Sequence, residues 1–131
     1  MEDLRGLAKY VAAACGAMAF LVSAATADGD PTAGKKVFNK CKACHVIDDD
    51  KNRVGPHLVG IVGRTAGVAD GFKYSDAMLS SGIVWDETAI AAYLADPKGY
   101  IQGNKMAFVG LKKEDDIADV IAYLKDPSAA D

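Results

Sequence analysis

The pattern of apolar and polar positions along the chain predicts short helices separated by long loops. Apolar side chains recur at helical spacing over about residues 112–125, and the members of this apolar face are Ile117, Val120, Ile121 and Leu124. Asp126-Pro127 follows directly, and the proline is expected to end this helix.

Capping residues indicate where the other helices begin. Asp30 followed by Pro31 is a typical helix start, and this helix is expected to reach about Lys40. Further short helical segments are expected after caps at Ser75 and Asp86 and after Pro97, over about residues 75–80, 87–95 and 98–101.

Residues 46–72 look different, because they contain several glycines and show no sustained helical period. A loop of this length in a compact domain is usually functional or organised around something. The chain is therefore predicted to be all-α, with about five short helices and long loops.

The beginning of the chain has the pattern of a signal peptide. Arg5 and Lys9 precede an apolar run over residues 10–25, and Ala25-Thr26-Ala27 is an A-x-A-type cleavage site. The run is shorter than the roughly 20 residues that a spanning helix needs, so an uncleaved anchor is the weaker alternative. We expect a cleaved segment at 1–27, a single domain at 28–131, and export to the periplasm.

Charge and cysteine content narrow the function further. The net charge of −3 argues against a nucleic-acid-binding protein, which would be basic. Cys41 and Cys44 are the only cysteines after residue 27.

These two cysteines form the motif C-x-x-C-H with His45, which is the attachment signature of c-type haem. Two thiols at this spacing can add to the two vinyl groups of a porphyrin, and the adjacent imidazole can ligate the iron. A redox dithiol and half of a zinc site are the alternatives. A zinc site would need further cysteine or histidine ligands, and after residue 27 only His57 remains.

A second axial ligand would decide what such a haem does. An open sixth site would suit an enzyme or a gas-binding protein, whereas a protein ligand would suit electron transfer. The candidates are Met78, Met106 and His57. Met106 lies in an irregular loop before the last helix, from which a thioether can reach the iron and raise its reduction potential.

The order of the motifs resembles class I cytochrome c, and most closely its mitochondrial-like bacterial branch, cytochrome c2. The resemblance covers nearly all of residues 28–131. It is carried by Gly34-Lys35-Lys36-Val37-Phe38, Cys41 to His45, Gly55-Pro56-His57-Leu58, Gly63-Arg64, Gly71 to Ala77, Gly82 to Trp85, Tyr93-Leu94, Pro97, Lys105 to Phe108 and Ile121 to Leu124.

The resemblance implies a class I cytochrome c fold around one haem, attached covalently through Cys41 and Cys44. It implies His45 and Met106 as the iron ligands. It also implies cofactor-binding roles for further residues. The Pro56 carbonyl would accept a hydrogen bond from the His45 ring, and Arg64, Tyr74 and Trp85 would lie at the haem propionates. Tyr93 would pack beside Met106, and Phe108 would cover the distal face of the haem. Two positions depart from the family, since Asn104 replaces a hydroxyl residue and Met78 a polar one.

The implied function is that of a soluble periplasmic electron carrier rather than an enzyme. It would be a monomer that docks transiently on membrane redox complexes, taking electrons from a bc1-type donor. A terminal oxidase, a photosynthetic reaction centre or a denitrification reductase would accept them. A haem enzyme or gas-binding protein with a displaceable sixth ligand is the alternative. The expected docking surface is formed by Lys35, Lys36, Lys40, Lys42, Lys98, Lys105, Lys112 and Lys113.

Overall fold

Helices and loops without any extended strand make up the part of the chain that the computed structural model describes, residue 16 and residues 28–131. The expected segment at residues 1–27 lies outside the described residues, apart from residue 16. The predicted all-α fold is confirmed. The helices are α1 (Pro31–Val37), α2 (Asp76–Ser80), α3 (Glu87–Ala95), α4 (Pro97–Tyr100) and α5 (Glu114–Lys125), with 3₁₀ turns at Phe38–Lys40 and Pro127–Ala130.

Side chains cap three of these helices as predicted. The Asp30 carboxylate accepts a hydrogen bond from the Thr32 amide, and Ser75 and Asp86 accept in the same way at the starts of α2 and α3. The last helix begins at Glu114, slightly later than expected and without a side-chain cap. Acidic residues in its first turn stabilise the start of this helix instead, because their negative charges interact with the positive end of the helix dipole.

Helices α1 and α5 cross closely and form one side of the core. Gly34 makes the crossing possible, because a methyl group there would collide with the backbone carbonyl of Asp119. Phe38, only 2% exposed, packs its ring on Tyr123 with the centroids 5.3 Å apart. Burying a side chain of this size contributes about 1.5–3 kcal/mol. The amide of Asp30 also donates to the Asp119 carboxylate at 2.8 Å.

Two distant loop segments pair in an antiparallel fashion on the other side of the core. An isolated bridge joins Thr65 and Val84. The amide of Trp85 donates to the Arg64 carbonyl at 2.8 Å, and the amide of Gly63 donates to the Trp85 carbonyl at 2.7 Å. This pairing places Arg64 and Trp85 next to each other.

The loop between α4 and α5 returns to α3 before the last helix begins. The Leu111 amide donates to the Leu94 carbonyl at 2.7 Å. Gly110 permits the approach, since its φ of +104° is disfavoured for other residues and a side chain there would meet the Ala95 carbonyl. In the described part of the chain, no helix is long and apolar enough to cross a membrane.

Candidate haem-binding site

The C-x-x-C-H motif forms one helical turn directly after the 3₁₀ turn that follows α1. The amides of Cys44 and His45 both donate to the Cys41 carbonyl, at 3.1 and 2.9 Å. Cys41 and Cys44 are not joined by a disulfide, and both are partly buried. Burial raises the pKa of the Cys41 thiol, and the neighbouring Cys44 adds to this effect. Two thiols thus lie on one short turn beside the imidazole.

The His45 ring is held by its backbone surroundings. Its Nδ1 lies 2.7 Å from the Pro56 carbonyl oxygen. A carbonyl oxygen only accepts hydrogen bonds, so Nδ1 carries the hydrogen and Nε2 keeps its lone pair. Burial lowers the pKa of His45; the Pro56 hydrogen bond partly opposes this decrease, and the positive charge of Arg64 adds a smaller decrease. The ring is therefore neutral, which is the form that ligates metals.

Gly55 lies against this ring. A methyl group at this position would lie 2.8 Å from Nδ1 and 2.9 Å from Nε2 of His45, closer than normal contact distances allow. The Gly55 amide donates to the Cys44 carbonyl at 2.9 Å, which ties this loop to the motif. Gly55 and Pro56 thus form a backbone support for the imidazole.

Met106 lines the same cavity as His45. It belongs to the irregular loop between α4 and α5. The Tyr93 hydroxyl on α3 donates to the Met106 sulfur at 3.8 Å. Burial raises the pKa of Tyr93 to about 12, so the hydroxyl keeps its proton and remains a donor near neutral pH.

The cavity has a volume of about 230 Å³ and is surrounded mainly by apolar side chains. It brings together eight of the residues that the sequence predicts to bind the cofactor: Cys44, His45, Pro56, Arg64, Tyr74, Trp85, Tyr93 and Met106. Cys41 and Phe108 are not among the lining residues. Both pack, partly buried, against the surrounding core.

Arg64 introduces a charge into this apolar setting. Its two terminal nitrogens donate to the carbonyls of Val59 and His57 at 3.1 and 2.9 Å. Its Nε is buried and has no hydrogen-bond partner among the described residues. Burial lowers the pKa of Arg64, the effect expected when a cation loses water without gaining an anion. An anionic group in the cavity would satisfy this nitrogen.

Three further residues that the sequence singles out differ in whether they reach the cavity. Met78 lines the cavity, whereas His57 and Asn104 do not. The His57 ring accepts a hydrogen bond from the Val59 amide at 3.3 Å and lies 3.4 Å from an Arg64 nitrogen. The side chain of Asn104 bonds instead to the Pro97 and Ile101 carbonyls and to the Met106 amide.

The sequence did not predict the apolar residues that form the walls of this cavity. The structure adds Leu58, Ile61, Ile90, Leu94 and Leu124 to the cavity lining. Ile90 and Leu94 are separated by one helical turn on α3, with Tyr93 between them, and this spacing would have marked the face. Residues from different loops, such as Ile61, have no such periodic signal.

The predicted docking lysines are mostly exposed, and they differ in their partners. Lys105 lines the cavity. Lys35 instead forms an ion pair with Asp131 at 2.7 Å, and Lys112 donates to the Val109 carbonyl at 3.4 Å. The hydrogen bond to Asp131 and the attraction of its charge raise the pKa of Lys35.

These features fit a covalently bound haem. The free thiols of Cys41 and Cys44 could form its thioether bonds, and the oriented imidazole of His45 could ligate its iron. The apolar walls of the cavity suit a flat macrocycle. The unpaired Arg64 Nε suits a negatively charged edge such as a propionate.

Comparison with known proteins decides the family. The profile of the family described as cytochrome c matches residues 31–127. The chain belongs to the cytochrome c family. As a cytochrome c, it is an electron-transfer protein and not an enzyme, and it carries one haem c joined covalently to Cys41 and Cys44.

Relatives place this cytochrome c in the class I, cytochrome c2-type group. It is 58% identical to cytochrome c2 iso-2 of Magnetospirillum fulvum over 88 residues, which are 67% of this chain and 92% of the relative. It is 50% identical to cytochrome c2 of Rhodomicrobium vannielii over 103 residues, 78% of this chain and 82% of the relative. The solved structure of cytochrome cH from Methylobacterium extorquens superposes with a TM-score of 0.71, at 49% identity over 74% of this chain and 98% of that one. The predicted class I cytochrome c fold is thereby confirmed.

Proposed function

We propose that this cytochrome c is a soluble periplasmic one-electron carrier whose haem iron is ligated by His45 and Met106. The observation that carries the proposal is that both side chains line one cavity, with the imidazole fixed by Pro56 and the sulfur bonded by Tyr93. When bound, the haem supplies one-electron chemistry, because its iron is stable in both the ferric and the ferrous state.

The chain's own residues would keep this site closed. The backbone support at Gly55 and Pro56 leaves His45 little freedom to rotate. The loop that carries Met106 is tied back to α3 through Leu111. Since neither ligand would need to move during electron transfer, the reorganisation of the protein would be small.

A second set of residues would compensate the haem propionates. Arg64 has a buried nitrogen free for an anion, and Tyr74 and Trp85 line the same cavity. The Tyr74 hydroxyl already accepts a hydrogen bond from the Ala69 amide at 3.0 Å, so its own hydrogen can point elsewhere. Burying a carboxylate would be costly without such donors.

Docking on redox partners would use the exposed lysines. Lys105 is exposed in the Met106 loop and Lys98 is exposed on the preceding α4, while Lys40 directly precedes the C-x-x-C-H motif and Lys42 lies within it. Val54 lines the cavity and is 78% exposed, which adds a small apolar contact. Such a surface favours fast encounter with acidic partners and fast release. A bc1-type complex would be the donor, and an oxidase, a reaction centre or another reductase would be the acceptor.

The ligand assignment is tested by comparing the two methionines of the cavity. The ferric protein is expected to show the far-red charge-transfer band of methionine-ligated haem. Met106→Leu is expected to abolish this band, whereas Met78→Leu is the matched control and is expected to keep it. A band that survives in Met106→Leu, or that disappears in Met78→Leu alone, would show that Met106 is not the ligand.

The same spectra test the alternative of a displaceable sixth ligand. A carrier is expected to bind added cyanide or imidazole slowly and weakly at neutral pH. Rapid binding by the unmodified protein, together with the absence of the far-red band, would favour a haem enzyme or a gas-binding protein instead.

A further inference from the structure

The side chain of Asn104 connects the Met106 loop to the first residue of α4 and to the residue that follows this helix. Its Nδ2 donates to the carbonyls of Pro97 and Ile101, both at 2.8 Å. Its Oδ1 accepts from the Met106 amide at 2.9 Å. Only this orientation of the amide satisfies all three bonds, because carbonyls accept and an N–H donates.

The partners of Asn104 differ in how firmly they are held. Pro97 is fully buried and Ile101 is 5% exposed, so the two carbonyls belong to the rigid core. Met106 belongs to a segment without regular structure, which begins after Gly103 with a φ of +89°. The side-chain amide of Asn104 thus ties this irregular segment to the core two residues before Met106.

The amide group is suited to this task in a way that related side chains are not. It offers two donors and an acceptor at once. Threonine can accept from the Met106 amide, but its single hydroxyl hydrogen cannot reach two carbonyls. Aspartate can only accept when it is ionised, and it would place a charge against the Pro97 and Ile101 carbonyls.

We infer that Asn104 is a positioning residue that holds Met106 in place and sets how readily a competing ligand displaces it. This inference rests on the proposed ligation by Met106. Displacement requires the loop to move away, and the loop cannot move without breaking the Asn104 bonds. Each such bond has a modest net value, so losing all three is expected to raise the population of the displaced state on the order of tenfold.

The test compares three variants of the haem-loaded protein. Asn104→Ala removes all three side-chain bonds, and Asn104→Thr keeps an acceptor for the Met106 amide. Gln102→Ala is the control, since Gln102 is an exposed residue of the same loop. Imidazole binding to the ferric protein is measured by titration, and hydrogen exchange is measured at the Met106 and Leu111 amides.

Asn104→Ala is expected to bind imidazole about tenfold more tightly and to exchange the Met106 amide faster. Asn104→Thr is expected to be intermediate, and Gln102→Ala to behave like the unmodified protein. The Leu111 amide, bonded to Leu94 at the other end of the loop, is expected to keep its exchange rate. Equal acceleration at Leu111 would indicate general destabilisation and would overturn the positioning role.

The outcome also separates this inference from the proposal on which it rests. If the unmodified protein lacks the far-red band, the ligation by Met106 is wrong, and the role of Asn104 falls with it. If the band is present and both Asn104 variants bind imidazole like the unmodified protein, the ligation stands and only the role of Asn104 is overturned.

Discussion

At the scale of the residue, the proposed ligation by Met106 would let the hydroxyl of Tyr93 adjust the reduction potential of the haem. It donates to the Met106 sulfur at 3.8 Å and thereby withdraws electron density from the thioether. The ferric state depends more on donation from its ligands than the ferrous state does. The hydrogen bond is therefore expected to favour the ferrous form.

Tyr93→Phe is accordingly expected to lower the reduction potential. If the full net value of about 0.5–1.5 kcal/mol for a hydrogen bond were felt in one oxidation state, the decrease would be about 20–60 mV for one electron. The potential can be measured by spectroelectrochemical titration. Tyr100→Phe is the control, because Tyr100 packs on Tyr93 with the centroids 6.3 Å apart and is 42% exposed. An equal shift in both variants would argue against the sulfur bond as the cause.

The sequence could single out residues by their chemistry, but it could not predict most of their local bonding partners. Cys41, Cys44 and His45 stand out because their spacing is the attachment signature of c-type haem, whereas Met106 is singled out by its irregular loop and by the resemblance to cytochrome c; its role as an iron ligand stays a prediction. The role of Asn104 could not be predicted in the same way. Its bonds to Pro97 and Ile101 depend on the path of a loop without periodic signals. The Lys35–Asp131 pair likewise joins residues that are far apart in the chain.

At the scale of the element, an ion pair links the ends of two helices. Lys125 in the last turn of α5 lies 2.9 Å from Glu87 in the first turn of α3. Each charge also has the sign that its helix end favours. The hydrogen bond to Glu87, and then the attraction of its charge, raise the pKa of Lys125 above its ordinary value of 10.5.

This pair predicts a specific pH dependence of stability. The folded state holds the Lys125 proton more tightly than the unfolded state, so the stabilisation is fully present below pH 10.5. It is lost as the pH rises through the raised pKa. A double-mutant cycle of Glu87→Gln and Lys125→Gln is expected to give a small favourable coupling at pH 7 that decreases with salt and vanishes at strongly alkaline pH. A coupling that persists above the lysine pKa would contradict the prediction.

Element boundaries were predictable where a side chain marks them. The caps at Asp30, Ser75 and Asp86 occur as expected, since each bonds an amide two or three residues ahead. The start of α5 was placed too early because Lys113 offers no cap, and only the first-turn acids indicate it. The Thr65–Val84 bridge was missed because pairing between distant loop segments leaves no local pattern.

At the scale of the whole molecule, the proposed docking surface would make the distribution of charge more important for partner encounter than the net charge. The chain has a net charge of −3, yet Lys98 and Lys105 are exposed around the segment that carries Met106. If partners approach this side, each of these lysines speeds encounter with an acidic surface. The net charge alone would slow it.

Charge reversal distinguishes these two effects. Lys98→Glu and Lys105→Glu each change the net charge by the same amount as the control variant, Lys51→Glu. The native Lys51 side chain is 80% exposed and forms an ion pair with Asp49. The first two variants are expected to slow electron transfer from a bc1-type complex on the order of tenfold at low ionic strength and to weaken its salt dependence. Stopped-flow rates over a series of ionic strengths measure both quantities. If Lys51→Glu slows the reaction equally, partners respond to net charge, and the docking surface is not where these lysines place it.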